Sequence, residues 1–278
     1  MIGAIAMILD LLVAGAFAGR LSTVAQETRK SIPDRAAVKL DRPKRSAAVL
    51  AARGIILAFG MVGLGASLGI VVDAFVRDLP YGWALEIVLL AALLGQRTAW
   101  PLLRSRLEEG ADDVHKARQA VVAELAELLA MRLIGVLFWH ALFGFAGALA
   151  FRFIMSVPTE NRSKAFREPI EGIKQISLVV PNAIAALIVP LACIFSPRGA
   201  PIMALRSMMA SPSIAAARGL FAGGLNLTLA GPKGWLGPSS GRARLQAQDV
   251  ASATVLYGAG WACVLLLNVI AEGALLYL

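Results

Sequence analysis

From Gly54 to Val72 the chain runs nineteen residues without a charge. About 20 consecutive apolar residues make a helix long enough to cross the hydrocarbon core of a bilayer. A second such run, Leu133–Phe151, reads LIGVLFWHALFGFAGALAF and ends at Arg152. A soluble core has little use for stretches of this kind, and the composition leaves no polar shell to wrap them. Of the 278 residues 58% are apolar and 16% are charged, against about 45–50% and 25% in soluble domains. The mean hydropathy is +0.71. The sequence therefore predicts an all-α, polytopic integral membrane protein. Four to six transmembrane helices are expected, with amphipathic or re-entrant helices besides, in a single domain over 1–278.

Further runs complete the count. Met1–Gly19 is apolar apart from Asp10, and the basic residues follow it rather than precede it, so it reads as a retained first span and not a cleaved signal. Tyr81 to about Leu103 contains Glu86, with Trp83 and Trp100 near its ends as interfacial anchors. Ile176–Phe195 is uncharged but holds Pro181 and Pro190, so its freed carbonyls need partners in protein or water. It should face other helices or be partly re-entrant. Val250–Leu278 is the last run.

Between the runs lie three segments of different character. Residues 20–45 carry eight basic side chains against three acids, a cytoplasmic loop by the positive-inside rule. Residues 107–130 place Val114, Ala117, Val121, Leu125 and Leu128 on one stripe, an amphipathic helix that either lies on the membrane or packs on other helices. Residues 196–249 are rich in Gly, Pro and small side chains. One tension remains. Counting six spans from an outside N-terminus places 152–175 outside, yet that segment holds five basic residues.

The net charge of +9 belongs to membrane orientation, not to nucleic acid, since no base-stacking motif accompanies it. Phosphate-loop, nucleophile-elbow and His-Glu-x-x-His patterns are absent. Cys193 and Cys263 each sit in an apolar run, which gives neither a disulfide framework nor metal spacing. No metal or cofactor is expected. Gly65 and Gly69, four apart in mid-span, read as a small-residue packing face. The intramembrane ionisable groups are Asp10, Glu86 and His140. Each carboxylate costs about 2.5–3.5 kcal/mol if unpaired at mid-bilayer, so each should meet a cation or a polar cavity. Arg53 is a candidate partner for either. His140 is a functional candidate by its depth, or an imidazole bonded to a backbone carbonyl.

Three stretches, in order, resemble the CobD/CbiB family. AIAMILDLLVAG is similar to the family's first span, with Asp10 at its acid. VAELAELLAMRLIGVLFWHALFGFAGALAFRF resembles the central block, with Glu127 at the family Glu and Ala150, Phe151 and Arg152 at its Ala-Tyr-Lys/Arg. SPSIAAARGLFAGGLNLTLAGP resembles a third block through Ser211, Pro212, Ala222, Gly223, Leu225, Leu229, Gly231 and Pro232. Members with the full pattern are membrane-bound adenosylcobinamide-phosphate synthases, which form an amide on a corrinoid. The resemblance implies pocket positions at Asp10, Glu127, Arg152, Ser211, Pro212, Arg218, Gly231 and Pro232.

The family's acids, however, are replaced here. Its Asn-Thr-Leu-Asp falls at Met155–Pro158 and another Asp at Met131. Its paired aspartates fall at Lys174 and Gln175, and its later Asn and Glu at Ser213 and Arg218. Holding a phosphate through a divalent cation needs carboxylate oxygens. The pattern predicts a scaffold kept and a chemistry removed, as in the related AmpE proteins. No catalytic residue is therefore assigned. The expected role is an accessory subunit or assembly factor among other membrane proteins, in the bacterial inner membrane. A divergent synthase, binding a corrinoid, is the alternative.

Overall fold

The structure, a computed structural model, describes residues 2–12, 33–42, 45–95, 114–231 and 234–276. It is nearly all helical. In chain order the elements are α1 (Ile2–Leu12), α2 (33–40), α3 (Ala47–Arg77), α4 (Gly82–Leu94) and α5 (Val114–Glu127). A π-helical segment (Leu128–Gly135) leads into α6 (Val136–Ser156), followed by α7 (Lys164–Ile194), α8 (Pro201–Met209) and α9 (Ala216–Gly224). A small hairpin, β1 (Leu229–Gly231) and β2 (Gly234–Leu236), precedes α10 (Ala247–Leu276). Among the described residues three helices are long and apolar enough to cross a membrane: Ala47–Arg77, Lys164–Ile194 and Ala247–Ala271. At 1.5 Å per residue the first two reach about 46 Å, well beyond a 30 Å hydrocarbon core.

Two other expected spans take a different form. The third apolar run forms α4, thirteen residues or about 20 Å of described helix. Its continuation beyond Gly95, with Trp100, lies outside the described residues. The run at Leu133–Phe151, read as uninterrupted, is broken. Its first residues belong to the π segment, and α6 is kinked at Phe143 (φ −134°) and Gly144 (φ +61°, ψ −149°). Only glycine adopts that second conformation readily.

Close approach of α3 and α6 rests on missing side chains. A Cβ on Gly65 would stand 2.7 Å from the Leu149 carbonyl oxygen, and one on Gly69 would stand 2.3 Å from the Ala146 Cα. Gly63, also on α3, has nothing within 4 Å. The small-residue face is thus Gly65 and Gly69, as the spacing predicts.

Helix α7 begins at Lys164, inside the basic 152–175 segment and twelve residues before the uncharged run, and continues through Pro169, Pro181 and Pro190. Pro181 lacks the N–H that would bond the Ser177 carbonyl four residues earlier. The indole Nε1–H of Trp139 donates to that oxygen instead, at 3.2 Å. The freed group has the protein partner that a buried proline requires, and Pro181 itself is buried against other helices.

After α7 the chain turns back on itself. Helices α8 and α9 form a short antiparallel pair packed on α7, Gly223 lying against the Met203 carbonyl and Gly219 against Ser211. The pair's tip is pinned by Asn182, a buried α7 residue whose Nδ2 donates to the Ser213 carbonyl at 2.8 Å. Asn182 lies twelve residues before the end of α7, about 18 Å along the helix.

Two apolar clusters hold the fold. The larger joins α1, α4, α5, the π segment, α6, α7, α9 and α10, with Phe145, Phe221, Leu129 and Leu133 fully buried. It takes the α5 stripe from Val121 onward, so this amphipathic helix packs on other helices; its stretch before Val114 lies outside the described residues. The smaller joins Ala37, Leu50, Leu57, Met61, Ile154, Phe166 and Ile170. Polar contacts seal the same end. Arg162 pairs with Asp34 at 2.7 Å, and the N–H and Oγ–H of Ser163 both donate to the Asp41 carboxylate. Residues 33–42 and 157–163 therefore meet on one face of the molecule. Arg53 donates to the Leu40 carbonyl there (3.1 Å). That corrects its assignment as partner of Asp10 or Glu86: it lies at the opposite end of α3 from the segment that meets α4.

Candidate functional site

Helices α5 and α9 face each other across a polar cavity of about 300 Å³, lined by Lys116, Gln119, Glu124, Glu127, Arg218 and Ala230. Glu127 ends α5 and Arg218 projects from α9. The guanidinium donates through Nε (2.7 Å) and Nη2 (2.5 Å) to the same carboxylate oxygen, Oε1. Both side chains are about a third exposed. The π segment starts at the next residue. Segments of this type are rare and widen the turn, and here Arg132 reaches Glu124 at 3.7 Å.

A third cation lies behind the pair. Lys174 of α7 is buried, donates from Nζ to the Val157 carbonyl at 2.5 Å, and stands within the electrostatic reach of Glu127, Glu160 and Glu171. Asp10 of α1 is also buried, and the hydroxyl of Tyr257 on α10 lies in the fields of both Asp10 and Arg132. Glu127 and Glu124 are thus each faced by a guanidinium, with the Lys174 ammonium near the former. Among the described residues no three His, Cys, Asp or Glu side chains are grouped to hold a metal ion.

The residues singled out by resemblance divide into those brought together and those kept apart. Glu127 and Arg218 meet. Asp10 is buried on α1 and shares neither the Glu127–Arg218 ion pair nor the lining of its cavity. Arg152 is buried on α6, one residue after Phe151, which packs over Gly135. Ser211 and Pro212 form the tip of the α8–α9 pair, where Ser211 Oγ–H donates to the Ser207 carbonyl. Gly231 pairs with Gly234 at the hairpin turn. Pro232 lies outside the described residues.

A second polar group surrounds the break in α6. The Asp73 carboxylate accepts the N–H of Phe145 (3.2 Å) and of Ala146 (3.4 Å), the first free amides of the helix after the break. Glu86 Oε1 stands 3.6 Å from His140 Nε2. That nitrogen is buried and makes no hydrogen bond, so it does not take the backbone-carbonyl role considered for it. In the sequence Asp73 is simply the first charge after the Gly54–Val72 run. Gly144, followed by two more apolar residues and Gly147, was the available signal for a break.

No protein-family model, curated protein or solved structure matches the chain.

Proposed function

We propose that this chain is a non-catalytic integral membrane protein on a CobD/CbiB-like scaffold, acting as an accessory subunit or assembly factor for other membrane proteins of the bacterial inner membrane. One observation carries the reading: Glu127 is paired with Arg218, whose Nε and Nη2 both donate to its Oε1. By resemblance Arg218 stands where the family has an acid. An arginine there turns a pair of carboxylates able to share a divalent cation into a self-neutralised ion pair. Lys174, which takes the place of an aspartate in the same comparison, adds a further positive charge near Glu127.

The contact between residues 33–42 and 157–163 supports a membrane arrangement as well. Residues 33–42 belong to the basic 20–45 segment and 157–163 to the 152–175 segment with its five basic residues, so the face they share is the cytoplasmic one by the positive-inside rule. An even number of crossings then separates them. Of the three apolar runs between, α4 is the one that does not cross. Helices α3, α6, α7 and α10 give four crossings.

The alternative, a divergent adenosylcobinamide-phosphate synthase, draws on the cavity itself, which keeps Lys116 and Gln119 beside the ion pair. Expression in a strain lacking its own synthase separates the two. The accessory reading predicts no restoration of cobalamin synthesis, and growth without added cobalamin would overturn it.

A further inference from the structure

The break in α6 lies between two anchors of different kinds. After the break, Phe145 and Ala146 are held to α3 by the Asp73 carboxylate. Before it, His140 faces Glu86 of α4 across 3.6 Å. That gap is too wide for a hydrogen bond. His140 also lies edge-on against Phe145, ring centres 5.0 Å apart, so its imidazole touches both halves of the helix. Between the anchors Gly144 holds a backbone conformation closed to other residues. A Cβ at Gly144 would stand 2.8 Å from an Asp73 oxygen. Trp139 and Phe143 before the break, and Ala146 and Gly147 after it, line one apolar pocket of about 280 Å³.

We propose that the break in α6 is a proton-responsive hinge, in which protonation of His140 joins the first half of the helix to Glu86 while Asp73 keeps the second half fixed. A proton on Nε2 turns the open 3.6 Å approach into a charge-assisted hydrogen bond, which closes to about 2.7–2.9 Å. Imidazole is the side chain whose charge changes near neutral pH. The movement of under 1 Å is taken up at Gly144, and the pocket lined from both sides of the break changes shape with it. The charged groups facing His140 are Asp73 from α3 and Glu86 from α4, and Arg77 of α3 acts on Glu86. The charges on the other packed elements are engaged elsewhere: Asp10 and Arg132 lie around Tyr257, and Lys174 is tied to Val157. The hinge does not depend on which functional reading of the α5–α9 cavity holds.

The test uses the full chain labelled with 5-fluorotryptophan in lipid nanodiscs. Trp139 stacks on Phe143 (centroids 5.9 Å, 19° between planes), the first residue of the break, so its fluorine resonance reads the hinge directly. Trp139→Phe assigns it, and Trp261 on α10 serves as a fixed reference. The resonance should move as a single-proton step as the pH is lowered to the acid side of neutrality, while that of Trp261 stays. His140→Gln should abolish the step, and Glu86→Gln should reduce its amplitude severalfold because the acceptor loses its charge and the bond its charge assistance. A Trp139 resonance that ignores pH in the unmodified chain, or an unchanged step in His140→Gln, would overturn the hinge. If His140→Gln does not fold, an undiminished step in Glu86→Gln overturns it equally.

Discussion

Removing the Asp249 carboxylate should loosen the whole end of the molecule that carries the hairpin. Asp249 is buried in the first turn of α10. Its Oδ2 accepts the backbone N–H of Gln246, a reach-back cap, and its Oδ1 takes Arg198 at 2.9 Å and Arg242 at 2.7 Å. The cap is worth about 1 kcal/mol. Each guanidinium bond would bring about 1.5–3 kcal/mol if dry. Arg198 and Arg242 are 34% and 43% exposed, so water recovers much of that, leaving about 0.5–1 kcal/mol apiece. Asp249→Ala should therefore cost about 2–3 kcal/mol. Asp249→Asn keeps an acceptor for the cap and should cost only about 1–2 kcal/mol. Reversible unfolding in mixed micelles, followed by circular dichroism, gives both numbers. Hydrogen exchange over residues 234–246 should rise with the Ala variant, because Arg242 and the strands it flanks lose their tie to α10. A loss below about 1 kcal/mol for Ala, or an Asn variant as damaged as Ala, would refute this division of the energy.

Other substitutions probe the helix contacts. Gly69→Leu should destabilise by at least about 1–3 kcal/mol, since α3 and α6 must part, whereas Gly63→Leu should be tolerated; equal effects in a thermal-shift assay would contradict the packing face. Trp139→Phe should cost about 1–3 kcal/mol by orphaning the Ser177 carbonyl. Pro181→Ala should relieve that loss in the double variant by restoring the helical N–H, and a strictly additive cycle would mean that the indole bond does not replace the one Pro181 removes. In a cysteine-free background, Val38→Cys and Glu160→Cys should react with a membrane-impermeant thiol reagent from the same side, and labelling from opposite sides would break the proposed arrangement.

Much of the fold was legible because lipid leaves strong signatures. Uncharged runs marked α3, α7 and α10, and the four-residue glycine spacing marked the α3–α6 contact. The prolines of α7 announced a need for partners, and Trp139 turned out to meet one of them. What escaped was whatever depends on a side chain from a distant part of the chain. The apolarity of Leu133–Phe151 is the same whether the helix is straight or broken. The break needs Asp73, seventy residues away in sequence, to hold the amides it exposes. Arg53 looked like the natural cation for Asp10 or Glu86, yet three-dimensional neighbourhood gives it to Leu40. The α5–α9 cavity was legible only in part. Glu127 and Arg218 were named by resemblance, but their mutual grip, which decides the reading of the site, is a fact of tertiary structure.

A chain whose Glu127 is held by Arg218 is proposed to work through partners and not through corrinoid chemistry. The most direct measurement is gentle detergent extraction from native membranes, followed by native mass analysis and an absorption spectrum of what emerges. A stoichiometric complex with other membrane proteins and no corrinoid absorption is expected. A lone chain or homo-oligomer carrying a bound corrinoid would contradict it and leave a working synthase in its place.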